Sequence, residues 1–99
     1  MSDSHTNDKN FMIQEPNGCK KWVYYGKLHR EFDLPAVERA DGTKEWWIHG
    51  KRHRDCGLPA SAYANGDKEW WMHGKRHRNE GLPAIEYDDG TKDWWVYGK

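Results

Sequence analysis

Aliphatic side chains and long apolar runs are scarce in this sequence. Of its 99 residues, only 35% are hydrophobic and 32% are charged. No run approaches the roughly 20 apolar residues of a membrane-spanning helix, and the N-terminal segment lacks the apolar core of a signal peptide. We therefore expect a cytoplasmic protein without membrane partners, with a disordered polar tail over residues 1–9 and a single domain over residues 10–99.

The sequence also has few cysteines and no net charge. Cys19 and Cys56 are the only cysteines, and they do not indicate a disulfide framework. We expect both to be free thiols in a reducing compartment. The 16 basic residues balance the 16 acidic ones, so overall charge gives no reason to expect nucleic acid as a partner.

Signatures of catalysis and metal binding are missing as well. The sequence has no glycine-rich phosphate loop, no nucleophile motif and no carboxylate pair in a recognisable context. His49 and His53 are four residues apart, as are His73 and His77, but that spacing aligns metal ligands on a helix. Here a glycine ends a predicted strand between them. We predict a protein that is not an enzyme and has neither a cofactor nor a metal site.

What the sequence does contain is a repeat with a period of 24 residues. The phrase KEWWIHGKRHR begins at Lys44 and returns at Lys68 with one change, Ile48 to Met72. Several other residues recur with the same period: Gly18, Gly42, Gly66 and Gly90; Trp22, Trp46, Trp70 and Trp94; His29, His53 and His77; Arg30, Arg54 and Arg78. A fixed period of this length is typical of repeat architectures.

Each copy carries Asn-Gly or Asp-Gly, as at Asp41-Gly42, which predicts a two-residue type I′ hairpin turn. That turn places Val37 opposite Trp46 and Ala36 opposite Trp47. Four such hairpins give about eight antiparallel strands. We predict an all-β meander of four 24-residue hairpin repeats in an open, twisted, single-layer sheet; the alternative is a small closed eight-stranded barrel.

The copies share the pattern W-x-x-x-G-K-x-H-R-x-x-G-L-P-A, which runs from Trp46 to Ala60 and again from Trp70 to Ala84. This pattern resembles MORN-type hairpin repeats, and more closely a repeat common in phage and giant-virus proteins. The chain departs from the viral repeat by its Leu before Pro and by His49 and His73, where Asn is usual. The resemblance covers about residues 11–99 and implies architecture; it leaves the ligand open.

The basic connections predict a ligand-binding edge. Arginine can bind phosphate with two hydrogen bonds, and an aromatic side chain can stack on a base. The candidate ligand-binding residues are Arg52, Arg76, Arg54, Arg78, Lys51, Lys75, Trp47, Trp71, Trp95, His49 and His73. For the repeated His-Arg pairs we favour a structural role, which leaves Arg52 and Arg76 as the better candidates because the first copy has Leu28 at this position.

Two functions fit these features. The first is a small phage or viral accessory protein, acting against host defence in the host cytoplasm, that captures an anionic small molecule such as a nucleotide signal. The alternative is a scaffold that inhibits or recruits a host protein through its aromatic face or an edge strand. A homodimer formed through the same surfaces is a further possibility.

Overall fold

In the computed structural model, residues 10–99 are described, and they form short antiparallel strands joined by turns. The strands are β1 Asn10–Gln14, β2 Lys20–Tyr24, β3 Lys27–Leu28, β4 Val37–Glu38, β5 Lys44–Glu45, β6 Trp47–Ile48, β7 Lys51–Arg52, β8 Ser61–Ala62, β9 Lys68–Glu69, β10 Trp71–Met72, β11 Lys75–Arg76, β12 Ile85–Glu86 and β13 Lys92–Asp93. No helix in this range is long and apolar enough to cross a membrane. The predicted tail over residues 1–9 lies outside the described residues.

The strands form one long open sheet and two small ribbons. The main sheet has nine strands, in the order β1-β2-β4-β5-β8-β9-β12-β13, with β3 paired to β2. β6 pairs with β7, and β10 pairs with β11, as separate two-stranded ribbons. The predicted all-β antiparallel meander is confirmed. The strands of residues 10–99 do not close into the alternative barrel, and the molecule is elongated, with extents of 52 × 26 × 19 Å.

The turn between β4 and β5 is a three-residue loop rather than the predicted two-residue turn. The N–H of Arg39 donates to the C=O of Thr43 (2.9 Å), and the N–H of Gly42 donates to the C=O of Arg39 (3.0 Å). Gly42 alone in this loop has a positive φ, of 97°, whereas a type I′ turn needs two such residues. The Thr43 N–H also donates to Asp41 Oδ1 (2.8 Å) and fixes the loop.

This extra loop residue shifts the register of the hairpin by one position. Val37 faces Glu45, so the predicted pairs of Val37 with Trp46 and of Ala36 with Trp47 are wrong. A shift of one residue changes which side chains share a face. Ala36 and Val37 are in fact both buried, at 0% and 1% exposure, so β4 is covered on both sides.

The type I′ geometry occurs instead at the strand end that carries the basic phrase. His49 and Gly50 both have positive φ, of 49° and 81°, and they join β6 to β7, with Trp47 facing Arg52. The same conformation recurs at Tyr25-Gly26, His73-Gly74 and Tyr97-Gly98. The basic connection between one predicted hairpin and the next therefore forms a second hairpin, which is why 13 strands are observed instead of about eight.

The core is narrow and is built from alanine and tryptophan. Three alanines, one from each Leu-Pro-Ala segment, are completely buried: Ala36, Ala60 and Ala84. Trp46 and Trp70 are only 9% and 6% exposed. Their indole N–H groups donate to the backbone C=O of Asp33 (3.0 Å) and of Gly57 (2.8 Å) in the preceding loops, so each large apolar side chain also has its polar atom satisfied.

The backbone of the type I′ turn leads to a test at His73. A β-branched residue is strained at positive φ, whereas asparagine tolerates it well. We expect His73→Val to lower the free energy of unfolding by about 1–2 kcal/mol relative to His73→Asn. The rings of His73 and His53 have their centroids 4.4 Å apart, and both variants lose this contact. The comparison therefore isolates the cost of the backbone conformation. Urea unfolding followed by tryptophan fluorescence measures the difference in the free energy of unfolding. Equal stability of the two variants would contradict the turn assignment.

Candidate functional site

Tryptophan and arginine side chains alternate in a row along the hairpins. The guanidinium carbon of Arg52 lies 5.0 Å from the ring centroids of both Trp47 and Trp71. That of Arg76 lies 5.1 Å from Trp71 and 5.3 Å from Trp95. We call this row of Trp47, Arg52, Trp71, Arg76 and Trp95 the ladder. Each arginine lies within the distance of a cation–π interaction with two tryptophans.

The ladder follows directly from the strand register. Trp71 faces Arg76 across the ribbon of β10 and β11, as Trp47 faces Arg52 in the preceding ribbon. The N–H of Gly74 donates to the C=O of Arg52 (2.8 Å), which places the two ribbons side by side. In this arrangement each arginine lies between the tryptophan of its own ribbon and that of the next.

The first copy has no ladder rung of its own. Val23 faces Leu28 where the later copies have tryptophan and arginine. The row of aromatic and cationic groups therefore begins at Trp47, and the apolar pair of the first copy precedes it.

Two glutamates lie beside the arginines of the ladder. Glu45 accepts hydrogen bonds from Trp47 Nε1 (2.9 Å), from Arg52 (3.3 Å) and from Arg39 (3.1 Å). Its side chain is only 5% exposed. Burial by itself raises the pKa of Glu45, but the Trp47 hydrogen bond and the charges of Arg52 and Arg39 outweigh it and hold the pKa below its ordinary value.

Glu69 repeats this arrangement in the next copy. It accepts a hydrogen bond from Trp71 Nε1 (2.8 Å) and lies 3.8 Å from the guanidinium groups of both Arg52 and Arg76. The charges of the two candidate arginines are thus partly neutralised within the ladder. Their Nε atoms are buried and have no hydrogen-bond partner among residues 10–99.

Exposed lysines recur at the same 24-residue period. They are Lys27, Lys51, Lys75 and Lys99, and all four are exposed. None of them forms an ion pair with another residue of the described range 10–99. The stems of the first three lie against the glycine of the following turn: a Cβ placed on Gly50, Gly74 or Gly98 would meet the preceding lysine at 3.4, 3.6 or 3.8 Å. Within residues 10–99, no carboxylate therefore neutralises these ammonium groups.

A groove of about 510 Å³ lies between the turns of the second and third copies. It is lined by Trp47, Gly50, Lys51, Arg52, Trp71, His73, Gly74 and Lys75. Six of the predicted ligand-binding residues thus meet in one place. Trp95 and Arg76 continue the ladder beyond this groove, with Trp95 half-buried.

His49 and the His-Arg pairs lie elsewhere. His49 lines a different groove, of about 430 Å³, between the loop after β3 and the loop after β7. Arg54 lies 3.8 Å from the centroid of Trp46 and donates to the C=O of Pro59 (3.1 Å) and to Asp33 (2.9 Å). Arg78 makes the equivalent contacts with Trp70 (3.8 Å) and the C=O of Pro83 (3.1 Å), but its carboxylate partner is Glu86 (2.9 Å), since Gly57 stands at the position of Asp33. The contacts of these two predicted ligand residues are therefore made within the protein, to the tryptophan and the loops that connect successive copies.

The repeated histidines also bind the backbone. His53 Nδ1 accepts the N–H of His73 (3.0 Å), and its Nε2 lies 2.7 Å from Asp55. Since Nδ1 is an acceptor, the hydrogen is assigned to Nε2, which donates to the carboxylate. His53 is 8% exposed, and the bonds are repeated by its equivalents His29 and His77. The contacts are those of a structural role.

Sequence reasoning missed the two glutamates. The available signal was the recurring Lys-Glu-Trp-Trp, which places a carboxylate beside the ladder in both central copies. Within residues 10–99 no group of three or more His, Cys, Asp or Glu side chains is arranged to hold a metal ion. Cys19 is buried, Cys56 is exposed, and neither is in a disulfide.

Comparison with known proteins returns no relative. No protein-family model matches the chain, and no curated protein or solved structure matches it either.

The first copy supplies a natural substitution with which to test the ladder. Leu28 stands where the third copy has Arg76, so leucine is compatible with the backbone there. We expect Arg76→Leu to lower the free energy of unfolding by about 1–2 kcal/mol, because two cation–π contacts and a partner of Glu69 are lost. Lys75→Leu, beside it and exposed, should change stability by less than about 0.5 kcal/mol. Equal effects in chemical denaturation would argue against the ladder as a stabilising unit.

The lowered pKa of Glu45 predicts a pH dependence. A carboxylate whose pKa is lower when folded stabilises the protein above its unfolded pKa, and that contribution is lost as pH falls through the folded pKa. Glu45→Gln should therefore cost about 2 kcal/mol at pH 7, and the gap to the parent should narrow as pH falls below about 4. Asp41 and Asp89, whose pKa values are also lowered by hydrogen bonds from Thr43 and Thr91, are present in both proteins. A gap that stays constant in unfolding at pH 7 and pH 3 would refute the prediction.

Proposed function

We propose that this protein is a non-enzymatic binding protein that captures an anionic ligand with an aromatic ring, such as a nucleotide, in the groove beside the ladder. One observation carries the proposal: Lys51 and Lys75, exposed and without ion-pair partners in residues 10–99, flank a groove that contains Trp47, Trp71 and His73. Cationic side chains beside aromatic rings form the usual combination for phosphate and base.

The lysines are the better phosphate ligands in this groove. Arg52 and Arg76 share their charge with Glu45 and Glu69, whereas Lys51 and Lys75 have no such partner among residues 10–99. Equivalent positions in successive copies lie two strands apart, or about 9.5 Å. Two flexible lysine side chains at that separation can reach a single phosphate chain from both sides.

The ring of the ligand has a different surface available to it. The guanidinium groups of Arg52 and Arg76 both lie about 5 Å from the ring centroid of Trp71, so a base that stacks on this ring has to compete with them. His73 is exposed at the groove, with one ring face towards His53. We place the base against the outer face of His73 and the edges of Trp47 and Trp71.

The biological setting belongs to the same proposal. The resemblance of the repeat to those of phage and giant-virus proteins supports a small viral accessory protein in the host cytoplasm. Withdrawing a nucleotide signal that the host uses in defence is a role that binding without catalysis can perform.

A second candidate is a scaffold that binds a host protein, and one observation favours it. The last copy exposes a group of large apolar side chains: Trp94 at 59%, Val96 at 56% and Tyr97 at 61%. Exposed apolar surface of this kind is typical of protein-interaction sites. Substituting Val96 and Tyr97 by Ser should abolish binding to such a partner and leave nucleotide binding unchanged.

The test of the first candidate is a titration with linear and cyclic nucleotides, read by intrinsic tryptophan fluorescence. We expect saturable quenching at micromolar ligand or below. Lys51→Gln combined with Lys75→Gln should weaken binding at least about tenfold, on the assumption that each lost charge-assisted contact is worth 1 kcal/mol or more. The matched control is Lys44→Gln with Lys68→Gln, which removes two exposed lysines from β5 and β9, outside the groove.

Two results would overturn this proposal for the compounds tested. One is the absence of any response across the panel. The other is an equal loss of affinity in the groove variant and in the control, because that would indicate a general effect of charge. Arg52→Leu is less informative alone, since it removes a rung of the ladder together with its charge.

A further inference from the structure

Both ends of the main sheet expose apolar surface. All five residues of β1 are exposed, including the consecutive Phe11, Met12 and Ile13 at 43%, 44% and 40%. At the other end, β13 leads into Trp94, which is 59% exposed although its equivalent Trp70 is 6% exposed. Edges of this kind are open to pairing with another strand.

Inside the chain, successive copies join one another in a single way. The tryptophan N–H of one copy donates to the alanine C=O of the next in three pairs: Trp22 to Ala36 (2.8 Å), Trp46 to Ala60 (2.7 Å) and Trp70 to Ala84 (2.8 Å). Beside the last of these bonds, Glu69 of β9 faces Ile85 of β12. The junction has a fixed register that three interfaces repeat.

The two exposed edges are the two halves of that junction. β13 occupies the position of β5 and β9, so Trp94 is the unused equivalent of Trp70. β1 occupies the position of β4, β8 and β12, so Met12 and Ile13 are the equivalents of Ala84 and Ile85. One edge therefore carries the donor of the junction and the other carries its acceptor.

We infer that β13 of one molecule pairs antiparallel with β1 of a second copy and so continues the sheet from molecule to molecule. In this arrangement Asp93 lies opposite Ile13 of the second copy, as Glu69 lies opposite Ile85 within the chain. The Trp94 N–H donates to the C=O of Met12. The contact also removes Trp94 and the Phe11–Ile13 segment from water, which is the main driving force for association.

The contact is head-to-tail, and this determines how the assembly grows. A pair of molecules joined in this way still has one free β1 and one free β13, so the contact does not close on itself. A heterologous contact that does not close gives open chains of molecules. This inference is independent of the proposed ligand, since the groove at Lys51 and Lys75 lies away from both edges.

The first measurement is the mass of the wild-type chain in solution over a range of concentrations, by light scattering after size exclusion. We expect the mean mass to rise above the 11.8 kDa of the monomer with concentration, without a plateau at the dimer. Gln14→Pro should return it to the monomer mass. Because the Glu15 N–H donates to Cys19 within the hairpin, the N–H of Gln14 points outward, and proline removes it without loss of that bond.

The second measurement tests the register by disulfide cross-linking in a Cys56→Ser background; the remaining Cys19 is buried. Directly opposite residues have Cβ atoms about 4.5–5.5 Å apart. Asp93→Cys mixed with Ile13→Cys should give a cross-linked pair several-fold faster than Asp93→Cys mixed with Met12→Cys, which is one residue out of register. Cross-linking does not require the proline variant to fold, so the two measurements are independent.

Three results would overturn the inference. The first is a mass of 11.8 kDa at every concentration. The second is an Ile13→Cys chain that cross-links with itself as fast as with Asp93→Cys, because that indicates two β1 edges paired symmetrically. The third is equal cross-linking of Asp93→Cys with Ile13→Cys and Met12→Cys, because the register would then be undefined.

Discussion

The buried tryptophan of each central copy, Trp46 or Trp70, is the joint on which the fold depends. Trp46 donates its backbone N–H to Ala60 and accepts the N–H of His53 (3.1 Å). Its indole N–H donates to the loop before it, and Arg54 covers its ring. One residue therefore connects the main sheet, the ribbon and the next copy. With so few aliphatic side chains, burial concentrated at this joint takes the place of a thick core.

The joint also explains the position of the ladder. The chain leaves the main sheet at Trp46, so the next residue, Trp47, enters a separate ribbon. Because every ribbon starts after the same joint, the ribbons lie in parallel at equal intervals, and their arginines fall between successive tryptophans. Glu45, just before the joint, supplies the negative charge that lets Arg52 remain only 22% exposed. A charge held in this way costs less to bury than an unpaired one.

The repeat and the antiparallel meander were predictable from the sequence, because a 24-residue period and Asx-Gly turns depend on local chemistry alone. The register of the strands was not predictable in the same way. Glycine after Asp41 suits both a two-residue turn with two positive φ angles and a three-residue loop with one, and the choice depends on which backbone bonds form. The left-handed backbone of His49 was the signal overlooked, since histidine before glycine tolerates positive φ better than most residues. Glu45 was missed for a similar reason: its partners Trp47 and Arg52 come from β6 and β7, and Arg39 comes from the other side of its own hairpin.

Repetition within the chain separates structural residues from candidate binding residues only when their contacts are considered. His53 and Arg54 recur and satisfy backbone and side-chain partners, so the joint accounts for both. Lys51 and Lys75 recur too, and packing of their stems against the next glycine accounts for the four methylene groups. It does not account for the ammonium groups, which have no ion-pair partner in residues 10–99. Packing alone would be served by leucine or methionine, so these ammonium groups are the part of the repeat on which the proposed ligand site depends.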